Sequence, residues 1–93
     1  MDIDRRGREW ARWPDATALP PEPLEISFDG GTTWTALQRV DATTVRVLVA
    51  GPDVETENPA GTAVLALGRN VATVRAVAAP EILVREAGVI VVR

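Results

Sequence analysis

One segment of this chain, residues 24–35, restricts the fold more than any other because it predicts two strands joined by a tight turn. Leu24, Ile26 and Phe28 alternate with polar residues, which is the two-residue period of a half-buried β-strand. Asp29-Gly30-Gly31 follows, where the carboxylate can accept backbone N–H groups and the glycines reach positive φ without steric cost. The next residues are again strand formers, so the sequence predicts a β-hairpin here.

The same corner carries a named pattern. Its sequence S-F-D-G-G-T-T-W resembles the Asp-box, S-x-D-x-G-x-T-W, which recurs in sialidase-type propellers and occurs singly in other β domains. The matching positions are Ser27, Asp29, Gly31, Thr33 and Trp34. In that family the aspartate closes the turn and the aromatic residue packs beneath the hairpin, so the resemblance implies a structural turn. A propeller needs about four or more blades, and a single copy of the motif implies no glycoside chemistry.

Short strand-like runs recur from residue 24 to the end of the chain. We predict seven strands, at Leu24–Phe28, Thr32–Gln38, Thr43–Ala50, Thr62–Leu67, Val71–Val77, Glu81–Arg85 and Val89–Arg93. Most of the intervening turns favour antiparallel pairing, and Glu86-Ala87-Gly88 fits a three-residue hairpin loop. The predicted fold is therefore all-β, a seven-stranded antiparallel β-sandwich of immunoglobulin-like architecture over residues 24–93.

Two of these strands carry further information on their surroundings. In the third, Leu48 shares a face with Arg46, which indicates that this otherwise polar side is partly covered. The last strand is apolar on both faces over residues 89–92. Such a strand is expected either in the centre of its sheet or beneath a partner, because a bare apolar edge invites aggregation.

Residues 1–23 differ from the rest, and we predict that they form an extended N-terminal arm. Four prolines impose an extended path on its second half. The candidate partner-binding residues precede them and are Arg5, Arg6, Arg8, Trp10, Arg12 and Trp13. A short helix over residues 5–13 would place the two tryptophans on one face by their i, i+3 spacing. Two interpretations stay open: the arm becomes ordered against another molecule, or it folds back and caps its own sandwich.

The residue types needed for most enzyme chemistry are missing. The chain has no cysteine and no histidine, and all its basic residues are arginine. Ser27, the only serine, therefore has no histidine or lysine to activate it. The alternating acids Asp53, Glu55 and Glu57 match no known calcium loop, so we predict a solvated loop. We predict no catalytic, metal-binding or cofactor-binding residues, no cofactor and no enzymatic activity.

Charge and hydropathy narrow the range of partners and compartments. A net charge of −3 argues against a nucleic-acid-binding domain. No apolar run approaches the ~20 residues of a membrane span, so no membrane partner is expected. The first residues also lack the apolar core of a signal peptide, and residence inside a cell is the resulting expectation.

Three further stretches, at residues 12–15, 28–31 and 80–85, suggest a class of protein. Their sequences are R-W-P-D, F-D-G-G and P-E-I-L-V-R. With them the chain resembles small β-sandwich virion proteins of actinobacterial phages. The resemblance implies a structural protein of the head–tail connector region or a capsid decoration protein, assembled in the bacterial host cytoplasm and bound to other virion subunits as a homo- or hetero-oligomer. The alternative is a carbohydrate-binding β-sandwich module, which the Asp-box and the tryptophans would suit.

Overall fold

The structure is a computed structural model that describes residues 1–13, 23–78 and 81–93, with only the backbone described at 77–78 and 81–86. These residues form nine strands: β1 (Asp2–Ile3), β2 (Arg8–Trp13), β3 (Leu24–Ser27), β4 (Thr35–Ala36), β5 (Gln38–Arg39), β6 (Val45–Ala50), β7 (Ala63–Val64), β8 (Gly68–Ala78) and β9 (Glu81–Val92). The described residues contain no helix, and so none long and apolar enough to cross a membrane. The prediction of an all-β fold is confirmed.

The strands form two mixed sheets. The five-stranded sheet has the order β1-β9-β8-β3-β4, and the four-stranded sheet has the order β2-β6-β5 with β7 also paired to β6. The β1·β9 and β6·β7 pairs are parallel, whereas the other pairs are antiparallel. The prediction that all pairs are antiparallel is therefore wrong for these two pairs, and the described residues form nine strands rather than seven.

A hydrophobic core lies between the two sheets. One cluster of buried side chains draws on both sheets and consists of Ile3, Ala11, Ile26, Val47, Val49, Ala63, Leu65, Ala72, Ile90 and Val92. Along β2 and most of β6 the core residues alternate with more exposed ones, because successive side chains of a strand point to opposite faces. Two sheets with a shared core are consistent with a β-sandwich-like class.

The chain changes sheets within the segment predicted as the second strand. Residues 35–36 pair with β3 in the five-stranded sheet, but residues 38–39 pair with β6 in the four-stranded sheet. Between them, the Leu37 amide donates a 2.9 Å hydrogen bond to the Leu24 carbonyl oxygen, and the Leu37 side chain packs on the core. The segment predicted as one strand thus forms two short strands, one in each sheet.

The final third of the chain is one long antiparallel pair, β8 with β9. The loop predicted at residues 86–88 is absent, because the pairing continues through it from Ala72↔Gly88 to Thr73↔Glu86 with a register shift. One residue, Ala87, has no partner in this ladder, which is the arrangement of a β-bulge. Gly88 still adopts a positive φ of 119°, so the turn-type residue serves a bulge rather than a hairpin loop.

Strand β9 lies between β1 and β8 and is not an edge of its sheet. Ile90 and Val92 are buried in the core, while Val89 and Val91 on the other face are half-buried. The strand that is apolar on both faces therefore has a neighbouring strand on each side. This is one of the two situations expected from the sequence.

The first thirteen residues belong to the sheets, which corrects the prediction of an arm separate from the sandwich and of a helix over residues 5–13. β1 adds to the five-stranded sheet, and all six residues of β2 pair with β6. Trp13 and Ala11 reach the core from β2, so this segment caps its own fold. The rest of the predicted arm, residues 14–22, lies outside the described residues.

Candidate partner-binding face

Two of the six candidate partner-binding residues lie in the turn between β1 and β2. The Asp4 carboxylate accepts a 2.8 Å hydrogen bond from the Arg6 amide, and its Oδ1 lies 3.7 Å from Arg6 Nε in an exposed ion pair. The Arg5 amide donates to the Arg93 carbonyl oxygen at 2.8 Å, and the Arg5 carbonyl accepts from the Asp53 amide at 2.9 Å. The backbone of this turn therefore joins the two ends of the chain and the loop after β6.

The other four candidates occupy β2, where the strand separates the two tryptophans. Trp10 and Trp13 differ by three residues, which brings side chains together on a helix but places them on opposite faces of a strand. Trp10 is 41% exposed. Trp13 packs against both clusters of the core instead. Of the predicted pair, Trp10 is the more exposed.

Trp13 connects the two sheets. Its indole Nε1 donates a 2.8 Å hydrogen bond to the carbonyl oxygen of Ala87, the bulge residue of β9. A buried indole N–H needs such an acceptor, and the bulge leaves this carbonyl free of the ladder. Trp13 is therefore a structural residue that packs on the core.

Trp10 belongs to a surface that we call the outer face, formed by the side of the four-stranded sheet that points away from the core. Alternation along the strands and the registers of β2, β5 and β6 place on it the buried Ala50 and six residues that are not buried: Arg8, Trp10, Arg12, Gln38, Arg46 and Leu48. Gln38, Arg46 and Leu48 were not among the partner-binding candidates predicted from the sequence. Leu48 on an otherwise polar face was the only signal for them, because their proximity to Trp10 depends on the pairing of β2 with β6.

Arg46 is held in place on the outer face by two contacts. Its guanidinium carbon lies 3.9 Å from the centroid of the Trp10 ring, within the range of a cation–π contact. Its Nε donates a 2.8 Å hydrogen bond to Gln38 Oε1. Its other guanidinium N–H groups have no acceptor among the residues that the structure describes, and they could donate to an acceptor of another molecule.

Arg8 and the acidic loop meet at the other end of β2. Arg8 Nη1 donates to the Glu57 carbonyl oxygen at 3.2 Å, and Arg8 Nη2 donates to Thr56 Oγ1. Asp53, Glu55 and Glu57 are exposed in this loop. Among the described residues, no three or more histidine, cysteine, aspartate or glutamate side chains are grouped to hold a metal ion.

The five residues of the Asp-box-like corner are joined by short-range hydrogen bonds. Asp29 Oδ1 accepts from Ser27 Oγ at 2.7 Å, from the Thr32 amide at 3.0 Å and from the Thr33 amide at 2.9 Å. The Gly31 amide donates to Ser27 Oγ at 2.9 Å. These bonds, the Thr33 amide first and the Ser27 hydroxyl second, lower the pKa of Asp29 from 3.8 to about 2.

Trp34 completes the corner. Its Nε1 donates a 3.0 Å hydrogen bond to the Gly31 carbonyl oxygen, and the guanidinium carbon of Arg75 lies 4.0 Å from its ring centroid. Arg75 Nη2 is also 2.8 Å from Glu25 Oε1 on the neighbouring strand β3. With one ring face against Arg75, Trp34 is a packing residue of the five-stranded sheet.

A groove of about 450 Å³ lies beside the corner, between the two sheets. Its described lining residues are Ile26, Phe28, Asp29, Thr33, Thr35, Thr62, Ala63, Val64, Ala66 and Asn70. Asp29 is the only carboxylate among them, and its Oδ1 already accepts three hydrogen bonds. The described lining therefore has no second titratable group to form an acid–base pair with Asp29.

The chain was compared with models of protein families, with curated proteins and with solved structures, and none of these comparisons found a match.

Proposed function

We propose that this protein is a non-enzymatic structural or assembly protein that binds neighbouring subunits through the outer face of its four-stranded sheet. The observation that carries the proposal is Trp10, a large side chain left 41% exposed at the centre of a paired strand. Tryptophan and arginine are the residue types most enriched among those that dominate binding energy in protein interfaces. The outer face combines Trp10 with Arg8, Arg12 and Arg46 on rigid strands.

The docking element in this proposal is a sheet face and not a flexible leader. Residues 8–13 are paired along their whole length with β6, so their side chains are already oriented before a partner arrives. Pre-oriented side chains lose less conformational entropy on binding. The candidate residues Arg8, Trp10 and Arg12 keep a binding role, and Trp13 does not.

We further propose the setting implied by the resemblance to small phage virion proteins, namely the head–tail connector region or the capsid surface. In this proposal the two sheets form an immunoglobulin-like sandwich, and the partners are other virion subunits. The absence of cysteine, histidine and lysine supports a non-enzymatic role, since the commonest side chains for nucleophilic and acid–base catalysis are missing.

Fractionation of particles from cells that produce the protein tests this role. We expect the wild-type protein in the particle fraction at a constant ratio to the major subunit, and the Trp10→Glu variant in the soluble fraction. Val71→Glu is a matched control, because Val71 is an exposed apolar residue of the five-stranded sheet. A wild-type protein found only among free proteins would contradict the proposal.

A carbohydrate-binding module is the second candidate, and the exposed ring of Trp10 favours it. Sugars stack on aromatic rings presented by a sheet face or loop. In this protein the guanidinium of Arg46 lies over the Trp10 ring at 3.9 Å, so a sugar on that side would have to displace it. Binding of the wild-type protein to a glycan array, lost in Trp10→Ala, would favour this candidate over the first.

A further inference from the structure

We infer that the outer face is self-complementary and that two copies of this chain associate through it as a two-fold symmetric dimer. The inference deepens the proposed assembly role and rests on it, since it names a second copy of the chain as one partner of the same face. Three features of the face carry the inference: a basic end, an apolar centre and an acidic end.

The basic end is formed by Arg12 and Arg46. These residues are directly opposite each other in the β2·β6 register, and like charges in that position destabilise a sheet. Within the described part of the chain, neither guanidinium has a carboxylate partner. A carboxylate from another molecule would offset the repulsion and bind two adjacent guanidiniums.

The acidic end is the loop that follows β6. Asp53, Glu55 and Glu57 are exposed there, and Arg8 joins the loop to the outer face through Thr56 and the Glu57 carbonyl oxygen. The β1–β2 turn adjoins this loop, so the carboxylates of Asp4, Asp53, Glu55 and Glu57 stand against the guanidiniums of Arg5, Arg6 and Arg8. This end is therefore negative by one charge. The whole chain has a net charge of −3, so the basic end is a small positive region on an acidic protein. Because the phosphates of nucleic acid are repelled by an acidic protein, a protein partner is favoured over nucleic acid.

The positions of the two ends along β2 match a two-fold axis. Arg8 and Arg12 are four residues apart, which is about 13 Å along a strand. Trp10 lies midway between them, beside Leu48. A two-fold axis that lies between the two faces, parallel to the sheet and perpendicular to β2 at Trp10, turns the two outer faces toward each other. It brings the basic end of each copy over the acidic end of the other, and the same patch is used twice.

The size of the face sets the expected strength of the dimer. Two strands of six residues and one of two residues, about 4.8 Å apart, cover only a few hundred Å² on each copy. Stable interfaces bury about 800 Å² per partner, so this one belongs with weak interfaces. A weak dimer held by complementary charges should dissociate as salt screens them.

Sedimentation velocity tests the inference with the full chain. We expect the wild-type protein to shift from monomer to dimer between about 1 µM and about 500 µM at low salt, and the shift to weaken in high salt. Arg12→Glu and Glu55→Arg should each abolish dimerisation. The double variant, which exchanges the charges, should dimerise more strongly than either single variant, while the control Arg69→Glu on the five-stranded sheet should behave as the wild type.

Two results would overturn the dimer. One is a wild-type chain that remains monomeric over the whole range, including the case in which the monomer binds an acidic peptide instead. The other is a double variant that associates no better than the single variants. Neither result bears on the assembly role, which the particle fractionation tests separately. A wild-type protein missing from the particles would contradict the assembly role but not the dimer.

Discussion

The indole Nε1 of Trp13 and the carbonyl oxygen of Ala87 are joined by a 2.8 Å hydrogen bond that connects the two sheets. The donor comes from the edge strand β2 of the four-stranded sheet, and the acceptor is the bulge residue of β9 in the five-stranded sheet. The first thirteen residues are thereby tied to the last ones, and the N-terminal segment is part of the core.

Trp13→Ala should therefore destabilise the fold, whereas Trp10→Ala should not. Loss of an aromatic side chain that packs on both core clusters is expected to lower the free energy of unfolding by about 3 kcal/mol. For the exposed Trp10, about 1 kcal/mol or less is expected. Urea denaturation of both variants provides the comparison, and equal losses would show that Trp13 has no special structural role.

The hydrogen bonds to Asp29 predict a loss of stability in acid. A carboxylate whose pKa is lower in the folded than in the unfolded chain stabilises the fold above the unfolded value, and this contribution disappears as the pH falls through the folded value. With a pKa lowered from 3.8 to about 2, Asp29 should make the wild-type protein lose stability as the pH falls from about 4 to about 2. The melting temperature of Asp29→Asn should vary less over that interval.

Asp53→Asn is the control for the acid experiment, because Asp53 is an exposed acid of the loop after β6. Its pH profile should follow that of the wild-type protein. A profile of Asp29→Asn that coincides with both would mean that the corner bonds do not stabilise the charged form of Asp29.

Gly51→Ala should be destabilising because the N-terminal turn lies against Gly51. A methyl group built at this position would overlap the backbone carbonyl of Arg5. The Gly51 amide also donates a 3.0 Å hydrogen bond to the Gly7 carbonyl oxygen, so the turn cannot move away freely. We expect a loss of about 1–3 kcal/mol. Gly7→Ala is the control, since a methyl group there makes only ordinary contacts, and equal effects on thermal unfolding would refute the overlap.

The Arg75 side chain should couple energetically to Trp34. The guanidinium carbon of Arg75 lies 4.0 Å from the centroid of the Trp34 ring, and Arg75 Nη2 lies 2.8 Å from Glu25 Oε1. Arg75 is on β8, Glu25 is on the paired strand β3, and Trp34 belongs to the corner. A double-mutant cycle with Arg75→Ala and Trp34→Leu should give a coupling free energy of about 0.5–1 kcal/mol. A coupling near zero would mean that the contact adds nothing to the packing of the two residues.

The locally bonded features of this protein were accessible from the sequence. The donors and acceptors of the corner lie within four residues of each other, from Ser27 to Thr33, so their pattern is visible in the chain. The alternation in β3 and β6 also predicted strands close to those observed. The short helix proposed for residues 5–13 failed, because i, i+3 spacing of two tryptophans fits a helix face as well as opposite faces of a strand.

The sequence by itself determined that the chain is all-β and that residues 27–34 form a hydrogen-bonded turn, because both depend on neighbours along the chain. Only the tertiary structure decided which tryptophan faces outward, that β9 runs through its expected loop, and that Asp2 pairs in parallel with Val91. These outcomes depend on pairings between residues far apart in sequence. Their energies come from burial against a distant strand, which no local pattern records.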